Sequence, residues 1–129
     1  MESGKLRSLP LFEGLPDEVV DGCTKRFKET DLLAGTELAS EGEFAYKFFV
    51  VLDGEVEVQR DSKHIATLGA GDFFGEMGVM SGGRRNAVVI AQSRCQLAWM
   101  IGWEFDAMLA EYPEVAERVQ KVVDERNQE

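Results

Sequence analysis

The chain has 129 residues, 44% of them hydrophobic, which suits one domain of ordinary size with a core that needs no disulfide or metal staple. Twenty-four acidic residues against fourteen Lys and Arg give a net charge of -10, which repels a phosphate backbone and argues against nucleic-acid or basic membrane-surface binding. Cys23 and Cys95 stand far apart and outside any CxxC pattern, so no disulfide framework or zinc site is indicated. The single histidine, His64, removes schemes that need a His cluster or a positioned Ser-His or Cys-His pair. It lies in the alternating run KHIATL and reads as a half-exposed strand residue. No apolar run reaches the roughly 18 residues of a membrane span, and MESGKLRSLP lacks a signal peptide's apolar stretch. The expectation is a cytoplasmic chain without membrane contact.

In chain order, Pro16 to Lys25 begins with proline and two acids and then places Val19, Val20 and Cys23 at helical spacing, which predicts a short helix. Thirteen glycines, most between Gly35 and Gly83, then punctuate segments rich in β-branched and aromatic residues. Strands are expected at Tyr46 to Leu52, Glu55 to Gln59, His64 to Leu68, Arg85 to Ala91 and Cys95 to Ile101. EVEVQ alternates cleanly, so its valines should face a core. Trp103 to Glu111 carries a helical stripe, and Tyr112-Pro113 redirects the chain into a last helix. There Val115, Val119, Val122 and Val123 form an apolar face with nothing local to cover it. Trp99 and Trp103 are both expected to pack into the core, as are Met100 and Met108. A helix, about eight short strands and two further helices predict an α+β, mainly β fold, a barrel or jelly roll.

One stretch breaks the strand pattern, LGAGDFFGEMGVMSGGRRNA from Leu68 to Ala87. Its glycines let a backbone turn sharply and approach a ligand. Free amides at the start of a short turn from Glu76 to Met80 would cradle an anion, with Arg84 and Arg85 adding positive charge. A carboxylate inside such a cradle repels phosphate, so Glu76 must meet another part of the ligand, such as a sugar hydroxyl, or pair with an arginine. Phosphate plus ribose describes a nucleotide. The same residues would also serve as a tight turn at a barrel corner, with Glu76 salt-bridged to Arg85.

At these residues the chain resembles the cyclic nucleotide-binding domain family. Phe74-Gly75-Glu76-Met77-Gly78-Val79-Met80, a loop from Ser81 to Arg84, then Arg85-Asn86-Ala87 looks like the family's phosphate-binding cassette, with its nine-residue step from Glu76 to Arg85. Phe48 to Val56, Leu68 to Phe73 and Leu9 to Leu15 resemble three further family motifs in the right order. Arg84, where kinase-type members often have proline, makes the likeness closest to channel-type domains.

The resemblance implies an eight-stranded jelly-roll β-barrel with an N-terminal helix and two C-terminal helices, a single domain over residues 1–129. Within it, 1–25 would be an N-terminal helical segment, 26–101 the β-roll with the cassette at 74–87, and 102–129 the B and C helices. Arg85 would pair with the cyclic phosphate and Glu76 with the ribose 2′-hydroxyl. Backbone amides of Gly75, Met77, Gly78 and Asn86 would complete the cradle that ends at Ala87. Arg126, thirteen residues after Pro113, would reach the base from a C-terminal helix acting as lid. The implied ligand is a cyclic nucleotide, cAMP favoured over cGMP, with no cofactor, no metal and no enzymatic activity. The implied role is regulatory, with an effector domain or a second copy as partner through the C-terminal helix. A fold-preserving domain that binds no nucleotide and serves protein interaction is the alternative.

Overall fold

The computed structural model describes residues 1–2, 4–39, 47–60, 62–75 and 87–127. Two short helices, α1 (Gly4–Arg7) and α2 (Asp17–Thr24), precede eight strands, and α3 (Gly102–Glu111) and α4 (Pro113–Asn127) follow them. The strands are β1 (Lys28–Leu32), β2 (Glu37–Ala39), β3 (Lys47–Asp53), β4 (Val56–Arg60), β5 (Lys63–Leu68), β6 (Phe73–Phe74), β7 (Ala87–Ala91) and β8 (Cys95–Ile101). They form two four-stranded antiparallel sheets, ordered β1-β8-β3-β6 and β2-β7-β4-β5.

Strand β3 is buried on both faces of the first sheet, which explains why FFVVL is continuously apolar instead of alternating. Side chains of a strand point to opposite faces in turn. On β3, Phe48 and Val50 enter an outer core, whereas Phe49 and Val51 enter an inner core. Strand β8 divides likewise, with Ala98 and Met100 outward and Cys95 and Leu97 inward. Phe73 and Phe74 of β6 part the same way, and Phe74 stacks on Phe49 at 4.8 Å inside. The inner core lies between the sheets, where Val56 and Val58 of EVEVQ point as their alternation requires. The outer core is closed by helices: Leu6, Phe12, Val20, Phe105 and Met108 meet Phe48 and Phe73 there.

Two expectations are corrected. The strands do not close into a barrel among the described residues. The sheets stay separate in hydrogen bonding, because their edge strands β1, β6, β2 and β5 do not pair with one another, and β6 has only two residues to offer. What unites the sheets is side-chain burial between them. The valine stripe of α4 is covered, as its amphipathic pattern requires: Val115, Val119 and Val123 are 0%, 1% and 3% exposed in the outer core, which also holds Phe105 and Met108 of α3 and the distant Leu6 and Phe12. Trp103 is also corrected, standing 66% exposed at the start of α3, while Phe105 and Met108 take the buried face. Trp99 packs partly buried against the inner core, and Met100 and Met108 are core residues as expected.

Candidate functional site

The end of β6 and the start of β7 frame the site. Because β6 belongs to the first sheet and β7 to the second, residues 75–86 are one of the connections that cross between the sheets. Glu76, Met77, Gly78, Arg85 and Asn86 lie outside the described residues. Gly75 and Ala87 flank them. Gly75 has φ +90°, and a Cβ on it would lie 2.3 Å from the Lys47 carbonyl oxygen, so both torsion and space require glycine where the chain leaves β6. Ala87 is the first residue of β7 and pairs with Arg60 of β4.

Just upstream, Gly71 (φ +93°) gives Pro10 its place, since a Cβ there would stand 2.7 Å from the proline ring. The turn from Gly69 to Asp72 is closed by the Asp72 carboxylate, which accepts from the Gly69 amide at 2.9 Å, and the Gly71 amide donates to the Val51 carbonyl at 2.8 Å. The motif Leu68 to Phe73 thereby locks the approach to β6 onto β3. Beside it, the Lys47 ammonium lies 4.4 Å from the Trp99 ring centroid, and that of Lys28 lies at 5.3 Å.

Arg126 reaches this region from the last turn of α4. Its Nη2 donates to the Phe73 carbonyl at 2.6 Å and its Cζ lies 4.8 Å from the Phe73 ring centroid. Thus Gly75, Ala87 and Arg126, the described members of the predicted set, fall just after β6, at the start of β7 and in α4. Arg126 and Gly75 converge through Phe73, which motif spacing gave no reason to single out.

Other polar groups lie elsewhere. A cavity of about 290 Å³ is lined by Asp31, Asp53, Arg94, Cys95 and Gln96, at the Cys95 end of β8. Lys47 pairs with Ile101 at the opposite end, so this cavity is remote from Gly75. His64 Nδ1 lies 2.8 Å from Glu57 Oε2 on the β4–β5 hairpin, and that bond holds the Glu57 carboxyl below its usual range. Burial pushes the Cys23 thiol up to about 12. A hydrogen bond with Glu111, then burial, raises the Tyr112 phenol to about 12. Among the described residues, no three His, Cys, Asp or Glu side chains are grouped to hold a metal ion, and no helix is long and apolar enough to cross a membrane.

The cyclic nucleotide-binding domain family is matched over residues 29–112, from β1 to the residue after α3, across the whole framed site. The chain belongs to this family.

A cyclic nucleotide-gated potassium channel of Rhizobium etli is 31% identical over 119 residues, which cover 92% of this chain and 33% of the channel. A cGMP-dependent protein kinase of Toxoplasma gondii is 31% identical over 96 residues, 74% of this chain and 10% of the kinase. Among solved structures, cAMP-bound PfPKA-R (141-441) superposes with a TM-score of 0.85 at 23% identity, covering 99% of this chain and 44% of that one, a likeness of fold. The chain thus spans a third or less of the curated relatives' lengths. In this cyclic nucleotide-binding domain, the close fits at Gly71 and Gly75 give family motifs their physical reason: each glycine admits a backbone or ring that any side chain would displace.

Proposed function

We propose that the chain is a regulatory module that binds a cyclic nucleotide, cAMP in preference to cGMP, and reports it through its C-terminal helix. Supporting this reading are the family match and the run from Phe74 to Ala87, whose Glu76-to-Arg85 spacing supplies a carboxylate for ribose and a guanidinium for cyclic phosphate. Amides of Gly75, Met77, Gly78 and Asn86 complete the cradle before Ala87, and Arg126 contributes from α4. The observation that carries it is Gly75, seated at φ +90° on the Lys47 carbonyl, which makes the chain leave β6 abruptly into the segment that bears Glu76. The two sheets then act as the halves of a jelly roll within one domain of residues 1–129. Cytoplasmic location and an effector domain or second copy reached through α4 belong to the same reading.

The name of the channel relative leaves the nucleotide open, the kinase's carries cGMP, and the solved structure's carries cAMP. Asn86 replaces the Ala, Ser or Thr that follows the cassette arginine in the resembling domains, so the order of cAMP and cGMP is decided by titration. A ligand that touches both the cassette and α4 favours one seating of the helix by its differential affinity. Buried Val115, Val119 and Val123 oppose wholesale release, so the last turn is where movement costs least.

Calorimetric titration with cAMP and cGMP tests the reading. Saturable binding of both, tighter for cAMP, is expected. Reversed order overturns the preference, and no binding of either establishes a domain that keeps the fold for protein interaction alone.

A further inference from the structure

The second sheet has one buried face. Leu38, Val56, Val58, Leu68 and Val89 turn into the inner core, so alternation puts Glu37, Glu57, Gln59, Val88 and Ile90 on the opposite face. The outer core beneath the helices includes no residue of β2, β4, β5 or β7, so among the described residues the helices leave that face uncovered. Val88 and Ile90 are only half-buried there. Register fixes what surrounds them. Ile90 of β7 pairs with Glu37 of β2 on one side and with Glu57 of β4 on the other, and Val88 follows along β7 beside Gln59. Beyond β4 the pairing passes from Val58 with Ala66 to Gln59 with His64 and skips Ile65, which stands 53% exposed on the edge strand β5. An irregular edge of this kind resists the addition of another strand, which leaves the face rather than the edge open to a partner.

The aliphatic stripe along β7 therefore has a carboxylate on either side of Ile90, the two standing two strand spacings or about 9.6 Å apart, close to the width of one helix. Among the described residues neither carboxylate has a Lys or Arg partner, and Glu57 bonds to His64 at 2.8 Å, which favours its ionised form. We infer that this face is a docking surface for a basic amphipathic helix of a partner protein, whose apolar stripe lies along Val88 and Ile90 and whose Lys or Arg residues on both flanks meet Glu37 and Glu57. Charge opposes two other occupants, because an anionic lipid surface and a second copy of this chain, at net charge -10, are both repelled. The surface uses neither the cassette nor α4, so it stands apart from the nucleotide reading above.

Amide chemical shifts of the nucleotide-free chain, followed by NMR as a helical Leu-Lys peptide of about 18 residues is added, test the inference. Saturable shifts centred on Glu37, Glu57, Val88 and Ile90 are expected, with a matching Leu-Glu peptide inert. Glu37→Lys combined with Glu57→Lys should weaken the Leu-Lys peptide by about tenfold, the scale of two surface ion pairs lost and reversed, and Ile90→Thr by a smaller factor. Both glutamates lie at the surface, and unchanged inner-core shifts verify that the double variant folds. The same charge change on the exposed side of α4, Glu117→Lys with Glu125→Lys, should leave affinity at the wild-type level. Equal weakening in the two double variants, or shifts scattered over the whole acidic surface, would reduce the attraction to net charge and overturn the inference. Shifts at this face with phosphatidylserine vesicles, or on concentrating the chain alone, would assign it to a membrane or to a second copy and overturn it equally.

Discussion

The Tyr112 hydroxyl stands over the Cα of Gly22: a Cβ added to Gly22 would lie 1.8 Å from the hydroxyl oxygen and 2.7 Å from Cζ. The contact joins α2 to the junction between α3 and α4, and Arg26 reinforces it. Its guanidinium donates to Glu104 at 2.7 Å and lies 3.6 Å from the Glu111 carboxylate. The end of α2 and both ends of α3 are thereby fastened together, which fixes the angle at which α4 departs.

Gly22→Ala is the direct check. In an open helix this change stabilises by about 0.5–1 kcal/mol. Here it forces Tyr112 aside, and overpacking costs about 1–3 kcal/mol, so a net loss is expected in urea denaturation. Tyr112→Phe in the same chain should recover only part, because Cζ remains too close.

Arg118 of α4 donates to the carbonyls of Pro10 at 3.0 Å and Glu13 at 2.7 Å, groups that end the turn between α1 and α2. Arg118→Ala should cost about 1.5 kcal/mol, the lower end for hydrogen bonds to charged groups because the site is exposed. Arg118→Lys, which keeps the charge, should cost less, and equal losses would show that charge alone does not replace the guanidinium here.

Arg85→Ala should weaken cyclic-nucleotide binding by about 1.5–3 kcal/mol, and Arg84→Ala by less, since Arg85 is the arginine nine residues after Glu76. Equal losses in calorimetry would remove Arg85 from the phosphate. A 2′-deoxy ligand should bind poorly, and Glu76→Gln should lose less than Glu76→Ala because an amide oxygen still accepts from a hydroxyl. Tight binding of the deoxy analogue would take Glu76 off the ribose.

Stability should fall on the alkaline side. Cys23 and Tyr112 ordinarily titrate near 9 and 10, and both are raised to about 12 in the fold. Between those limits the folded chain holds more protons than the unfolded one, so unfolding free energy decreases as pH rises from about 9 to 12. Cys23→Ala should flatten this decline in pH-dependent urea denaturation without abolishing it. A parallel decline in both proteins would mean that the buried thiol does not contribute.

Local pattern determined much of this chain by itself. The helix around Val19, Val20 and Cys23, the inward valines of EVEVQ, the apolar β3 and β8 and the break at Tyr112-Pro113 all follow from spacing within a few residues. Motif order likewise announced the family, because each motif is a contiguous run, and within these runs Gly54, Gly71 and Gly75 answer to close approaches. Tertiary structure alone decided what depends on partners distant in the chain. The pattern could not show that the valines of α4 share one core with Leu6 and Phe12, since an amphipathic face encodes the need for burial and not the identity of its cover. Trp103 looked like a core residue by type, yet the face of α3 buried by Phe105 and Met108 leaves it in solvent. That the two sheets stay separate in hydrogen bonding among the described residues likewise depends on pairings between distant strands. Arg126 stood out by its distance from Pro113, but its bond to the Phe73 carbonyl is a contact across 53 residues, which no periodicity carries.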